Sequence, residues 1–145
     1  MFEQRLKARY ESYLEQALTA ERNRKPGEGL FGIGKKPSDD PCHDQFVADL
    51  EAMLTEFGEA APSSKESASV LHWIYEFPRR NREPQSAYWV LLAVQKLTLP
   101  LIERLDSTDR TELLNYYKKA YPRWERLPVQ DRILEALKKQ KLKSL

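Results

Sequence analysis

What this chain of 145 residues has little of narrows its possibilities first. A single cysteine, Cys42, rules out an intramolecular disulfide and with it the oxidised scaffold of a small secreted domain. The longest apolar run covers residues 87–94, less than half of the ~20 residues that a membrane-crossing helix needs. Behind Met1-Phe2-Glu3 the sequence opens into a charged helical pattern instead of the apolar stretch of an export signal. The expectation is a cytoplasmic protein that does not engage a membrane. There are two histidines, His43 and His72, and neither stands in the His-Glu-x-x-His pattern of zinc proteases or the Glu-x-x-His pattern of di-iron bundles. The Gly-x-Ser-x-Gly turn of serine hydrolases is missing as well. With no evident catalytic signature, an enzyme is the less favoured reading and no cofactor is implied. The net charge of +2 is too small to mark a polyanion binder.

What remains is an ordinary globular mixture, 41% hydrophobic and 32% charged, of the length of one domain spanning 1–145. No stretch alternates as a half-buried strand would, and no internal repeat is visible. Helical periodicity dominates. Phe2, Leu6, Tyr10, Tyr13, Leu14 and Ala17 recur at spacings of three and four, which predicts a first helix over about 2–22. Asp40 before Pro41 has the form of an N-cap and a first-position proline, and Phe46, Leu50, Met53, Leu54 and Phe57 give helix two its buried face. Ser63 and Glu66 have capping-box spacing for a third helix, expected to stop at Phe77-Pro78 before the basic turn Arg79-Arg80-Asn81-Arg82.

Residues 84–105 are apolar nearly all round over their first half, so neighbours must cover them on several sides. Pro100 should kink or break this helix, since it offers no N–H to the Lys96 carbonyl. A fifth helix is expected over about 108–121, behind the capping run Asp106-Ser107-Thr108-Asp109, and a last one over about 128–142. The fold expected is therefore all-α, an irregular bundle of five or six helices around a central hydrophobic helix at about 84–105.

Charge is spread unevenly. Between residues 39 and 59 the acids Asp39, Asp40, Asp44, Asp49, Glu51, Glu56 and Glu59 meet no lysine or arginine, whereas from Lys118 onward basic residues dominate. The two regions are expected to neutralise each other within the fold or across a dimer.

Three places hold residues that can do chemistry. The connection over about 24–40 exceeds the ~2–8 residues usual between helices, and long loops often carry function. Its Gly29…Gly34-Lys35 spacing imitates a phosphate-binding loop, but a helix precedes it and Lys36 stands where serine or threonine would hold magnesium. Leu30, Phe31 and Ile33 filling apolar gaps is the simpler reading. Next to it, Asp39, Cys42 and His43 combine oxygen, sulfur and nitrogen ligands of the kind metal sites use, although neighbours at a helix start diverge by about 100° each. Acids on both sides oppose a Cys42 thiolate, which favours an inert thiol. His72, on the flank of the Leu71 and Tyr75 face, reads as a boundary histidine bonded to backbone.

The third place is aromatic and basic. Trp73 falls nearly opposite Leu71 and Tyr75, so it must be exposed or buried elsewhere, and a tryptophan beside Arg79, Arg80 and Arg82 is what interface centres favour. The leading expectation is thus a helical interaction or regulatory module, binding a protein partner or forming a homo-oligomer through Trp73, Arg79, Arg80 and Arg82 with Lys35 and Lys36 from the loop. A small-ligand or metal-dependent activity at 26–44, with Asp39, Cys42 and His43 as ligands, is the alternative. Nucleic-acid binding by the C-terminal helices, where Tyr116, Lys118, Lys119, Arg123 and Trp124 interleave, is a further one.

Overall fold

A computed structural model describes residues 2–23 and 41–139. The loop at 24–40, with Lys35, Lys36 and Asp39, and the tail at 140–145 lie outside the described residues. The fold is all-α, with no strand among the described residues.

Helix α1 (Phe2–Arg22) and helix α2 (Pro41–Glu59) form an antiparallel pair. Phe2 stacks on Phe57 at 4.4 Å and Tyr13 on Phe46 at 4.4 Å, so the start of one helix lies beside the end of the other. The apolar stripe read from α1 buries Leu6, Tyr10 and Tyr13, and Phe46, Leu50 and Leu54 answer from α2. Arg9 pairs with Asp49 at 2.8 Å and Arg5 with Glu56 at 3.7 Å along the rim.

Helix α3 (Ser64–Arg80) opens with the expected capping box: Ser63 accepts from the Glu66 N–H, and the Glu66 carboxylate accepts from the Ser63 N–H. It does not stop at Phe77-Pro78. Pro78 sits in the last turn and the helix runs on to Arg80, so Arg79 and Arg80 project from helix and not from a turn. A proline this late forgoes only the bond to the Ile74 carbonyl, and its ring is buried in return. Asn81 then ends the helix, its side-chain amide donating to the Phe77 carbonyl.

The central rod, α4, spans residues 85–102 in three continuous pieces: α-helix over Gln85–Ala93, a 3-10 stretch over Val94–Thr98, and a final α turn over Leu99–Ile102. The distortion expected at Pro100 is displaced one turn upstream. Without a proton from Pro100, the Lys96 carbonyl accepts from the Leu99 N–H instead, which is the tighter 3-10 pairing. As its all-round apolarity requires, α4 packs against α1, α2 and α3.

Helix α5 (Ser107–Ala120) begins on Asp106, which accepts from the Asp109 N–H. A 3-10 turn (Arg123–Glu125) leads to helix α6 (Pro128–Lys138). That last helix ends four residues short of the expected 142, because Lys139 is extended (φ −67, ψ 110). A buried side chain on α5 explains the stop. The Arg110 guanidinium donates to the Ala136 and Lys139 carbonyls and, at 2.9 Å, to the Ile102 carbonyl. One cation thus caps carbonyls where α4 and α6 both finish, the Ile102 carbonyl accepting from the Leu105 N–H as well. At the other end of α5, Asp109 joins α3 by accepting from Ser64 at 2.6 Å and from Lys65 at 2.7 Å.

The core is one cluster drawn from all six helices, and it contains a hydrogen-bonded polar centre. Thr98 donates to the Gln95 carbonyl, so the Tyr75 hydroxyl, 2.7 Å from the threonine oxygen, is the donor in that pair. Gln95 accepts from Tyr117 at 2.7 Å and from Gln130 at 3.2 Å, and donates to Tyr121, which donates to the Tyr75 carbonyl. The 3-10 twist turns Gln95 and Thr98 inward together, since side chains three residues apart eclipse there.

Candidate functional site

The surface that stands out is the corner where the end of α3, the start of α4 and the 3-10 turn meet. Trp124 occupies the middle of that turn and is 84% exposed, the highest value of any large apolar side chain described. The turn beneath it is firmly held. Glu125 accepts from Arg79 at 2.8 Å and lies 4.0 Å from Arg82. Arg126 donates to the Tyr121 carbonyl and pairs with Asp131 at 2.9 Å. The arginines also stack: Arg79 lies 5.4 Å from the Tyr121 ring centre and Arg82 5.8 Å from that of Tyr88. Tyr88 in turn is 6.0 Å from Trp89, the second exposed large apolar residue at 43%. A continuous path of contacts therefore joins Trp89, Tyr88, Arg82 and Glu125 to the base of Trp124.

Beside it on α3, His72, Glu76 and Arg80 follow at helical spacing. One Glu76 oxygen accepts from Arg80 at 2.9 Å and the other from the Tyr116 hydroxyl. These bonds, the Tyr116 one foremost, hold the Glu76 carboxyl below its ordinary range, while burial and that carboxylate push the Tyr116 phenol up. His72 is exposed and its ring lies 4.3 Å from that of Tyr116. The expected backbone bond is replaced by this ring contact. Chemically the cluster is a set of satisfied ion pairs: it orders the surface and offers cationic and aromatic faces.

Of the residues singled out from sequence, Arg79, Arg80 and Arg82 come together here, with Arg80 the most open at 77%. Trp73 does not join them at the surface. Of the two alternatives left open for it, the second holds: half-buried, it packs edge-on to Tyr10 at 5.0 Å and against Phe77 at 5.0 Å. The most exposed tryptophan is Trp124, which the sequence places only among the interleaved aromatic and basic residues of the C-terminal helices. Its signal was local: it lies between Pro122 and Pro128 among charged neighbours, with no periodic apolar face to belong to. Glu125, which ties Arg79 and Arg82 together, had no sequence signal.

At the start of α2, Cys42 and His43 are half-buried, and His43 Nδ1 lies 3.1 Å from Asp44. Lys35, Lys36 and Asp39 fall outside the described residues, and among the described residues no three His, Cys, Asp or Glu side chains are grouped to hold a metal. No described helix is long and apolar enough to cross a membrane.

Fold and surface together define a helical bundle with an aromatic and arginine corner turned to solvent. No protein-family model, curated protein sequence or solved structure matches the chain.

Proposed function

We propose that the protein is a cytoplasmic helical interaction module whose contact surface is the corner of Trp124, Trp89, Tyr88 and the arginines of α3. The observation that carries this reading is an almost fully exposed tryptophan on a turn fixed from below by ion pairs. Burying a large apolar side chain is worth about 3 kcal/mol, and here that gain is left unrealised while the bundle folds. Because Arg79, Arg82 and Glu125 already hold the turn, a partner closing over Trp124 meets a pre-ordered surface and loses little entropy in ordering it. Aromatic and arginine side chains are also those in which binding energy concentrates.

Phosphates as the principal target fit less well. Glu76, Glu83 and Glu125 are interleaved with the basic groups of this corner, and each would repel a nucleic-acid backbone that carries a charge every ~1.7 Å.

A photo-crosslinking amino acid in place of Trp124, compared with one in place of the exposed Thr111, tests the reading in cells. A discrete protein adduct specific to position 124, weakened by Arg80→Glu, is the expected result. Indistinguishable adduct patterns at the two positions would reject the module.

A further inference from the structure

Two exposed surfaces of this molecule complement one another and lie on different helices. The first is the basic side of the Trp124 corner. Lys118, Lys119 and Arg123 lie within six residues of Trp124, all three are exposed, and none makes an ion pair with a described residue. The second is the outer face of α2. Asp44, Ala48, Glu51, Thr55 and Glu59 follow one another at steps of three and four, which places them on one stripe of the helix, and all five are exposed. Glu51 and Glu59 make no ion pair with a described residue, and no lysine or arginine occurs anywhere in α2. The stripe is about 22 Å long at 1.5 Å per residue. Between its acids it presents the small side chains of Ala48 and Thr55, and Glu51, Thr55 and Glu59 border a groove whose other wall is Lys96, Pro100 and Arg104, wide enough for a protruding ring.

We infer that the occupant of the Trp124 corner is a second copy of this chain, presenting its α2. This deepens the interaction reading above and rests on it. Within one copy the two surfaces do not meet: α2 packs against α1 and the 3-10 part of α4, while α5 and its basic end pack against α3 and α6. Between copies each supplies what the other lacks. The protruding tryptophan faces the groove beside the small residues, and unpaired cations face unpaired carboxylates. Since the two patches differ, the contact is head-to-tail. Each added copy leaves one corner and one α2 open, so growth continues until a ring closes or the chain ends. Electrostatic complementarity of this kind sets orientation and accelerates encounter more than it adds raw affinity, so the association is sensitive to salt.

The decisive experiment uses two charge-reversed variants of the full chain. One carries Glu51→Lys with Glu59→Lys, and the other Lys119→Glu with Arg123→Glu; circular dichroism confirms that each keeps its helical fold. By sedimentation at about 0.01 M salt the parent should show a mass that rises with concentration, falling back at about 1 M, where the screening length drops from about 30 Å to about 3 Å. Each variant alone should dissociate at least about tenfold more readily. Mixed in equal amounts they should associate again, because the intact corner of the first meets the intact α2 of the second and the reversed α2 of the first meets the reversed corner of the second. Trp124 emission should shift to the blue in the parent and in the mixture.

A parent that stays monomeric at low salt, or a mixture that stays monomeric, overturns the inference. So does association of either variant as strong as that of the parent. Retardation of a single-stranded oligonucleotide by a monomeric parent would overturn it in favour of nucleic acid. If the parent is monomeric yet position 124 still crosslinks a different protein, only the second-copy inference falls; if position 124 crosslinks nothing, the module falls too.

Discussion

Around Tyr10 the core is held by ring contacts, whereas around Gln95 it is stitched by hydrogen bonds, and both regions bury tyrosine completely. Tyr10 meets Phe46, Trp73 and Phe77 edge-on at 5.0 to 5.3 Å, and its hydroxyl has no hydrogen-bond partner among the described residues. At the other centre the hydroxyls of Tyr75, Tyr117 and Tyr121 are all engaged. Ring packing is tolerant of small shifts. The polar centre is not, because a buried donor that loses its acceptor keeps its desolvation cost. The first region supplies bulk, and the second selects one register for α3, α4, α5 and α6.

Alkaline pH acts on both regions at once and carries the largest expected effect. Tyr10, Tyr75, Tyr117 and Tyr121 all have their phenols pushed up, with burial the largest cause for each. In the unfolded chain a phenol ionises near pH 10, while these four stay protonated in the fold. Their contribution is therefore fully present below pH 10 and is lost as pH rises above it. Each tyrosine accounts for about 1.4 kcal/mol per pH unit, so these four lower stability by about 5 kcal/mol per unit beyond pH 10, a loss to which the raised, half-buried Tyr116 phenol adds. Urea unfolding at successive pH values measures the slope. Tyr10→Phe and Tyr117→Phe should each remove one equal share, hydrogen-bonded or not; a flat profile above pH 10 would contradict the burial of all four.

Substitution, unlike pH, separates the regions. Gln95→Leu keeps the volume but leaves the Tyr117 hydroxyl without an acceptor and takes one acceptor from Gln130, at an expected cost of about 3 kcal/mol in urea unfolding at neutral pH. Tyr117→Phe should cost less, about 1 kcal/mol, because Gln95 still accepts from Gln130. If Gln95→Leu proved neutral, the polar centre would be dispensable and its role in fixing the register would fail.

Sequence patterning read the two regions unequally, for a physical reason. Ring packing follows helix periodicity, so Leu6, Tyr10, Tyr13, Phe46 and Leu50 were legible as buried faces, and so was the capping box at Ser63 and Glu66. Gln95 and Thr98 carry no periodic signal of their own, since their partners Tyr75, Tyr117, Tyr121 and Gln130 lie more than twenty residues away in sequence. Arg110 was invisible for the same reason: its three acceptors are backbone carbonyls on other elements. At the candidate surface the arginines were legible as a cluster, but the choice of tryptophan was not. A helical wheel places Trp73 opposite the core of its own helix and cannot know that Tyr10 of α1 covers it. Trp124, on a three-residue turn, has no period from which exposure can be read.

The smallest expected effect has the opposite sign and is the most direct test of the contrast. Tyr10→Phe removes a buried hydroxyl that has no partner among the described residues and keeps the ring against Phe46, Trp73 and Phe77. Because the hydroxyl gives up its solvation on folding and regains no bond, its removal should raise stability at neutral pH by up to about 1 kcal/mol. The same chemical change at position 117 should lower it. Thermal and urea unfolding of the two variants side by side give the answer. A loss of stability in Tyr10→Phe comparable to that in Tyr117→Phe would mean that the Tyr10 hydroxyl is bonded in solution, and the distinction between a ring-packed and a hydrogen-bonded core would collapse.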